Sequence, residues 1–447
     1  MSKLISLTTR HVRRATSAAA VALLTCITPD TSDAAPRITI GTQGRIIVDG
    51  KPTIPFGLYH ISWMRDIDGR SRFGSELVDD IRTMGSYGFS LAHLNIEKND
   101  STAAALSEAA RFNIPIIGEL LNGWWNPGPG QESAFINLSA IGHKPAIVAW
   151  NICDDINWRD KGRQLPIEPM NLRARASLIK SRAPNHLTYA SGVALNADHD
   201  AAIRPMRDYR NTADILGFTS YTLGEESGIP EKEALEQTVK NYRALEDSFA
   251  ETDQALFAIP QLFRFPNNPE PTINEVRNGA YAALMHGLDG IIGYAFYTKH
   301  SSERVLLPET NPGLLRELSD LAAEIRFLAL WFLEGERSHL YPRAPFVHGT
   351  RWRRASDELV IMLSTDRSRE INTPFPVSLS GGDSSELVPD HGVGFREEKL
   401  TAEQEDLLEH HTTLRPGQVR VFIRRTVSDH PLAIAPAHPD RRISSKK

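Results

Sequence analysis

From residue 54 onward the chain alternates short, nearly continuous apolar runs with longer stretches whose apolar residues recur every three or four positions. The apolar runs are IPFGLYH (54–60), FSLAHLN (89–95), IPIIGEL (114–120), AIVAWNI (146–152), HLTYASG (186–192), DILGFTSY (214–221), ALFAIPQLF (255–263) and DGIIGYAFY (289–297). The helical period runs through SELVDDIRTMGSYG, STAAALSEAARFN, PMNLRARASLIKSRA, KEALEQTVKNYRALEDSFA, NEVRNGAYAALMHG and GLLRELSDLAAEIRFLALWFL. Runs without polar alternation predict parallel strands covered on both faces. Eight of them interleaved with helices predict an α/β fold, a (β/α)8 TIM barrel spanning residues 36–335. No glycine-rich phosphate loop follows the first run, which speaks against an open nucleotide-binding sheet.

After about residue 335 the pattern changes. ELVIMLSTD, PFPVSLS and QVRVFIRR read as strands separated by the turn-rich SGGDSS and LRPGQ. A small C-terminal antiparallel β-sandwich is therefore expected over 336–426, followed by a disordered, proline-rich tail over 427–447.

The first residues follow a different rule. MSKLISLTTRHVRR carries four cations and no acid, ATSAAAVALLTCI is apolar, and TPDTSDAAPR offers small residues at Ser32 and Ala34. That order predicts a secretory signal over 1–35, with cleavage near residues 34–36 and a periplasmic or secreted product. The apolar piece is too short to span a bilayer, so no integral membrane segment is expected after cleavage. Leu23-Leu24-Thr25-Cys26 leaves a lipid anchor at Cys26 open. Cys153 would then be the remaining cysteine, so the fold must rest on its core rather than on a disulfide. The chain's 50 basic and 55 acidic residues form no long run of one sign, which disfavours nucleic acid as a partner.

In a barrel of this kind the chemistry gathers at the C-terminal ends of the strands. Those ends carry Tyr59, His60 and Trp63; Asn95 and Glu97; Glu119, Asn122, Trp124 and Trp125; and Asp154, Asp155 and Trp158. The later strands add Tyr221, Glu225 and Glu226; Gln261, Phe263 and Arg264; and Tyr297, Lys299 and His300. Five of the seven tryptophans fall before residue 160. Rings beside carboxylates and amides suit a carbohydrate, whose C–H faces stack while its hydroxyls need donors and acceptors. The plainer alternatives are tryptophans that pack the rim and aspartates that merely cap a strand. Adjacent residues on a strand face opposite ways, so one of Asp154 and Asp155 is expected to point inward. Trp150 or Trp158 beside it would hold that acid protonated.

VDGKPTIPFGLYHISW, AWNICDDI, LFAIPQLFRF and PTINEVRNGAYAALMHGLDGIIGYAFY together resemble the strand 1, strand 4 and strand 7–8 segments of clan A glycoside hydrolases over roughly residues 45–335. The resemblance implies that Asp155 stands where those enzymes carry their acid/base glutamate, and that Gln261 lies near the nucleophile's place. Both depart from the pattern: aspartate is one methylene shorter, and glutamine can serve neither as nucleophile nor as base. An inverting or otherwise non-standard pair remains open, with Glu119, Glu225 and Glu226 as second carboxylates.

Other chemistries have weaker support. HExxH, paired cysteines, an early His-x-His and G-x-S-x-G are all missing from the sequence, so neither metal nor cofactor is expected. Asp198-His199-Asp200 reads as a solvated loop, and Asp66, Asp68 and Gly69 lack the further ligands of a calcium loop. Cys153 is expected to be buried and inert. The sequence thus predicts an exported hydrolase of O-glycosyl bonds in an oligosaccharide or polysaccharide. Asp155 would be its acid, Glu119 the second carboxylate, and Asp154 a support or substitute for the acid. Trp63, Trp124, Trp125, Trp158, Tyr221 and Tyr297 would meet sugar rings, and His60, Asn95, Glu225 and Gln261 the hydroxyls. The alternatives are a carbohydrate-binding barrel without catalysis and, third, a metal-dependent barrel hydrolase.

Overall fold

The computed structural model describes residues 37–61, 75–96, 99–120, 144–157, 166–193, 204–224, 227–264, 268–300, 303–375, 383–390, 394–410 and 412–425. The expected signal segment and tail lie outside these residues, as do Trp63, Asp66, Asp68, Gly69, Glu97, Asn122, Trp124, Trp125, Trp158, Asp198, His199, Asp200, Glu225 and Glu226.

The described chain opens with an antiparallel meander of β1 (Ile38–Ile40), β2 (Ile46–Val48) and β3 (Lys51–Thr53). Asp49 and Gly50 join the last two with φ of 50° and 77°, the paired positive angles that a two-residue hairpin turn requires. Ile38 and Ile46 pack into the same cluster as Ile215, Ala255 and Phe257, so the meander closes the floor of the barrel.

The barrel itself consists of β4 (Phe56–Leu58), β5 (Leu91–Ile96), β6 (Ile116–Leu120), β7 (Ile147–Cys153), β8 (Leu187–Val193), β9 (Ile215–Thr219), β10 (Ala255–Ile259) and β11 (Gly290–Gly293). All neighbours pair in parallel, and β11 returns to β4 to close the sheet. Every predicted apolar run overlaps one of these strands, none of which extends more than one residue past its run. Helices α1 (Ser75–Ser86), α2 (Asp100–Arg111), α3 (Pro169–Arg182), α4 (Ala234–Phe249), α5 (Ile273–Met285) and α6 (Pro312–Glu334) accompany them. Asn99 caps α2 through Thr102 N, and Thr272 with Glu275 forms a capping box on α5. None of the described helices is long and apolar enough to cross a membrane.

Two hydrophobic layers result. Inside the barrel Tyr59, Ile117, Val148, Tyr189, Phe257, Ile259 and Ile292 pack together. Outside, the opposite strand faces meet the helices, and this layer runs on into the C-terminal sheet through Trp331, Trp352, Leu359 and Val421. That sheet has six strands in the order β14 (Glu336–Leu340), β15 (Val347–Arg354), β16 (Asp357–Ser364), β21 (Val419–Arg425), β18 (Asp383–Asp390) and β19 (Gly394–Lys399). β12 (Tyr297–His300) pairs with β13 (Glu303–Leu306), and β17 (Ile371–Thr373) with β20 (Thr412–Leu414). A last helix, α7 (Ala402–His410), leads into β20. Asn278 on α5 donates to the carbonyls of Ser364 and Gly417 at 2.8 and 3.2 Å, pinning sheet to barrel.

The antiparallel domain agrees with the sequence in class but is richer in strands. β15, β18 and β19 escaped notice because charge dominates their exposed positions; in β15 only Val347, Gly349, Thr350 and Trp352 turn fully inward. Of PFPVSLS, Pro374 and Phe375 lie outside any strand and the rest falls outside the described residues.

Candidate active site

The C-terminal mouth is built from residues spaced two apart on inward faces of strands. β5 supplies His93 and Asn95, both fully buried; Asn95 stands in register with Glu119 of β6, whose side chain is 13% exposed. β8 supplies Tyr189 and Ser191. Just past β4, Tyr59 N donates to Gly293 O and Ile61 N to His93 O, each at 2.9 Å. Between them His60 is forced to φ 55°, a strained conformation for a residue with a Cβ, with its ring buried beside His93.

On β7 a register irregularity between Asn151 and Cys153 sets two steps of this strand against one step of β8. The side chains of Asn151 and Asp154, three apart, thereby meet at 3.0 Å. This decides which aspartate turns inward. Asp154 receives hydrogen bonds on one oxygen, Oδ1, from Tyr59 at 2.5 Å, Ser191 at 2.6 Å and Asn151. Asp155, the acid expected from the sequence, is exposed and sits beyond the strand at φ 49°. Trp150 also turns away from the mouth, packing in the helix-side layer and donating Nε1 to His186 Nδ1 at 2.7 Å.

Burial pushes the Asp154 carboxyl above its usual range, although the three hydrogen bonds oppose the shift. Burial likewise raises the Tyr59 phenol well above its usual value, and the charges of Asp154, Tyr189 and Glu119 add to that. His93 is lowered to about 3 by burial, and His60 falls well below its ordinary value by burial and the neighbouring His93. The mouth therefore holds two neutral imidazoles, a phenol and a carboxyl that releases its proton less readily than usual. Cys153, buried with its thiol pushed up to about 12, is inert as expected.

An aromatic wall flanks this polar floor. Tyr59 stacks on His93 with centroids 3.9 Å apart and planes at 15°. Tyr294 touches His60, Tyr221 and Phe263 at centroid distances of 5.1, 5.7 and 5.6 Å. Tyr221 and Tyr294 keep part of their surface open. Gly217 on β9 has a positional reason: a Cβ there would collide with the Tyr189 hydroxyl.

Of the other expected residues, Gln261 is spent on the chain itself. Its Nε2 donates to Leu223 O at 2.9 Å and Phe263 O at 3.0 Å, and its Oε1 accepts from Leu223 N at 3.2 Å. This clamps the segment after β9 instead of presenting the amide to a ligand. Tyr297 is 1% exposed and packs in the helix-side layer, because the chain has already left the barrel at β11. Tyr294, His93, Asn151, Tyr189 and Ser191 were not singled out from sequence. Their signal was a polar side chain inside an apolar run, paired at spacing two in LAHLN and TYAS.

Solved structures share this architecture. A glycoside hydrolase superposes with a TM-score of 0.60 at 14% identity, covering 89% of this chain and 98% of its own. A glycoside hydrolase family 5 protein from Bacteroides vulgatus gives 0.58 at 15% identity, with 90% and 96% covered. An Anoxybacillus alpha-amylase gives 0.52 at 10% identity, with 84% and 98% covered. At these identities the shared property is the fold, a (β/α)8 barrel with an appended β-sheet. No protein-family model and no curated protein sequence matches the chain.

Proposed function

We propose that the chain is an exported carbohydrate hydrolase that cleaves O-glycosyl bonds at the barrel mouth, with Asp154 rather than Asp155 as general acid. The observation that carries this reading is the anchoring of Asp154 Oδ1 by three donors in a half-buried setting that raises the carboxyl although those hydrogen bonds oppose the shift. With Oδ1 taken by three donors, the proton of the neutral form belongs to Oδ2, the oxygen available to a leaving group. Glu119, one strand away, is the second carboxylate. A water attacking the anomeric carbon gives a proton to Glu119, the glycosidic C–O bond breaks, and the departing oxygen takes the Asp154 proton. Tyr221 and Tyr294 offer rings for sugar faces, and the fold likeness to glycoside hydrolases supports the substrate class. The sequence's signal-like first 35 residues support export.

A glycan screen with wild type, Asp154→Asn and Glu119→Gln tests the proposal. Each substitution is expected to lower kcat by about 10²–10⁴-fold, and NMR of the fresh product is expected to show inverted anomeric configuration. Activity that survives Asp154→Asn removes Asp154 from the role. A second reading, binding without catalysis, draws on Gln261, an amide clamped to backbone where a nucleophilic carboxylate would stand. It prevails if wild type binds glycans and cleaves none of them.

A further inference from the structure

The mouth gathers more than acids. Ligand atoms of His60, His93 and Glu119 all lie within 4.8 Å of one another. Glu119 Oε2 is 3.7 Å from His93 Nε2 and 3.9 Å from His60 Nε2. These separations exceed a hydrogen bond, yet ligands at about 2.0–2.2 Å from one ion stand roughly 3–4 Å apart.

Asn151 borders the ring of His93. Its Oδ1 accepts from Cys153 N at 3.2 Å and its Nδ2 donates to Asp154, so the amide has one orientation. Nδ2 also lies 3.3 Å from the Tyr59 hydroxyl and 3.2 Å from His93 Nε2. Glu119 Oε2 stands at nearly equal reach of the two imidazoles, an arrangement that one cation can bridge.

We propose that His60, His93 and Glu119 bind one divalent transition-metal ion of the zinc type at the barrel mouth. Two imidazoles and one carboxylate suit such an ion, and three protein ligands leave a coordination position for water. Binding rests on these three side chains alone; the further role of the ion, holding and activating the attacking water in place of Glu119 acting as a free base, rests on the hydrolase reading. The outer trio of Glu246, His286 and His339 has the same composition, but Arg337 already neutralises Glu246 at 2.5 Å. It serves as an internal control.

The test is a Co2+ titration of the full chain, freed of any affinity tag and stripped with EDTA, read by visible d–d absorption. Zn2+ stoichiometry is measured separately by elemental analysis. One ion per chain is expected. The Co2+ bands should vanish in Glu119→Gln and His93→Gln and persist in Glu246→Gln. In wild type, two paramagnetically shifted imidazole N–H resonances should count the histidine ligands without any substitution. No Co2+ binding by folded wild type, bands that survive both inner substitutions, or bands lost in Glu246→Gln would overturn the site. Glycan cleavage without Co2+ binding overturns the ion and leaves the hydrolase reading standing. Co2+ binding without cleavage of any glycan does the reverse.

Discussion

Among the described residues the same trio of side chains, two histidines and a glutamate, occurs twice and is used in opposite ways. Outside the barrel, Glu246 of α4 meets His286 at 2.7 Å, His339 at 3.1 Å and Arg337 at 2.5 Å. These contacts hold its carboxyl well below the usual range against the opposing effect of burial, and they tie α4 to β14. Inside the mouth, Glu119 stands 3.7 and 3.9 Å from its histidines, which burial keeps neutral. One trio is a closed ion-pair staple; in the other the carboxylate stands beyond hydrogen-bond reach of both imidazoles. Composition does not distinguish them. Closed polar clusters secure a fold, whereas side chains spaced just beyond contact in a concave site can converge on a ligand.

The sharpest way to break this contrast is Glu119→Gln. Hydrolysis is expected to fall by about 10²–10⁴-fold, while the free energy of unfolding in urea stays the same or rises, as at sites that trade stability for function. A parallel loss of stability would make the inner trio a structural element like the outer one.

Acid stability separates the trios next, measured on EDTA-stripped protein. The folded state lowers His93 from 6.5 to about 3, so it refuses a proton that the unfolded chain takes up. The stability this histidine contributes is complete above pH 6.5 and is lost as pH falls, by about 2 kcal/mol between pH 6.5 and 5. His60 acts in the same direction. Glu246, also depressed when folded, adds its loss only below its ordinary value of 4.5. Asp154, raised when folded, has the opposite sign and loses its contribution as pH climbs through 3.8. His93→Gln should flatten the urea-midpoint profile between pH 6.5 and 5; an unchanged slope would remove His93 from this account.

Glu246→Gln should do the converse of Glu119→Gln. Activity is expected to stay within about twofold, and stability to drop by about 1–2 kcal/mol, a charged hydrogen-bond loss discounted for partial solvent screening. The smallest effect is expected from Asp155→Asn, about threefold or less in kcat, because an exposed carboxylate beyond the strand end does not touch the reacting atoms. A loss as deep as that of Asp154→Asn would return the acid's role to Asp155.

Much of the fold was legible because its signal is local. A buried parallel strand must be apolar on both faces, and each of the eight predicted runs coincides with a barrel strand to within a few residues for that reason. The C-terminal sheet was legible where strands are central, as in β16 and β21, and hidden where Glu, Ser and Arg dominate, as in β18 and β19. The site was legible at one remove. Strand-end position pointed to His60, Asn95, Glu119 and Asp154, while His93, Tyr189 and Ser191 lay within runs read as core.

The sequence by itself determined the barrel, the antiparallel addition, the parallel strands' faces and the end at which polar side chains gather, because periodicity and burial act over a few residues at a time. The tertiary structure alone decided among neighbours. A register irregularity in β7 turned Asp154 inward and left Asp155 exposed. Backbone carbonyls following β9 and β10 claimed both amide donors of Gln261. Closure of the sheet brought His60, His93 and Glu119 within one ion's reach, though they are far apart in the chain. Such choices depend on distances between strands, which no local pattern records.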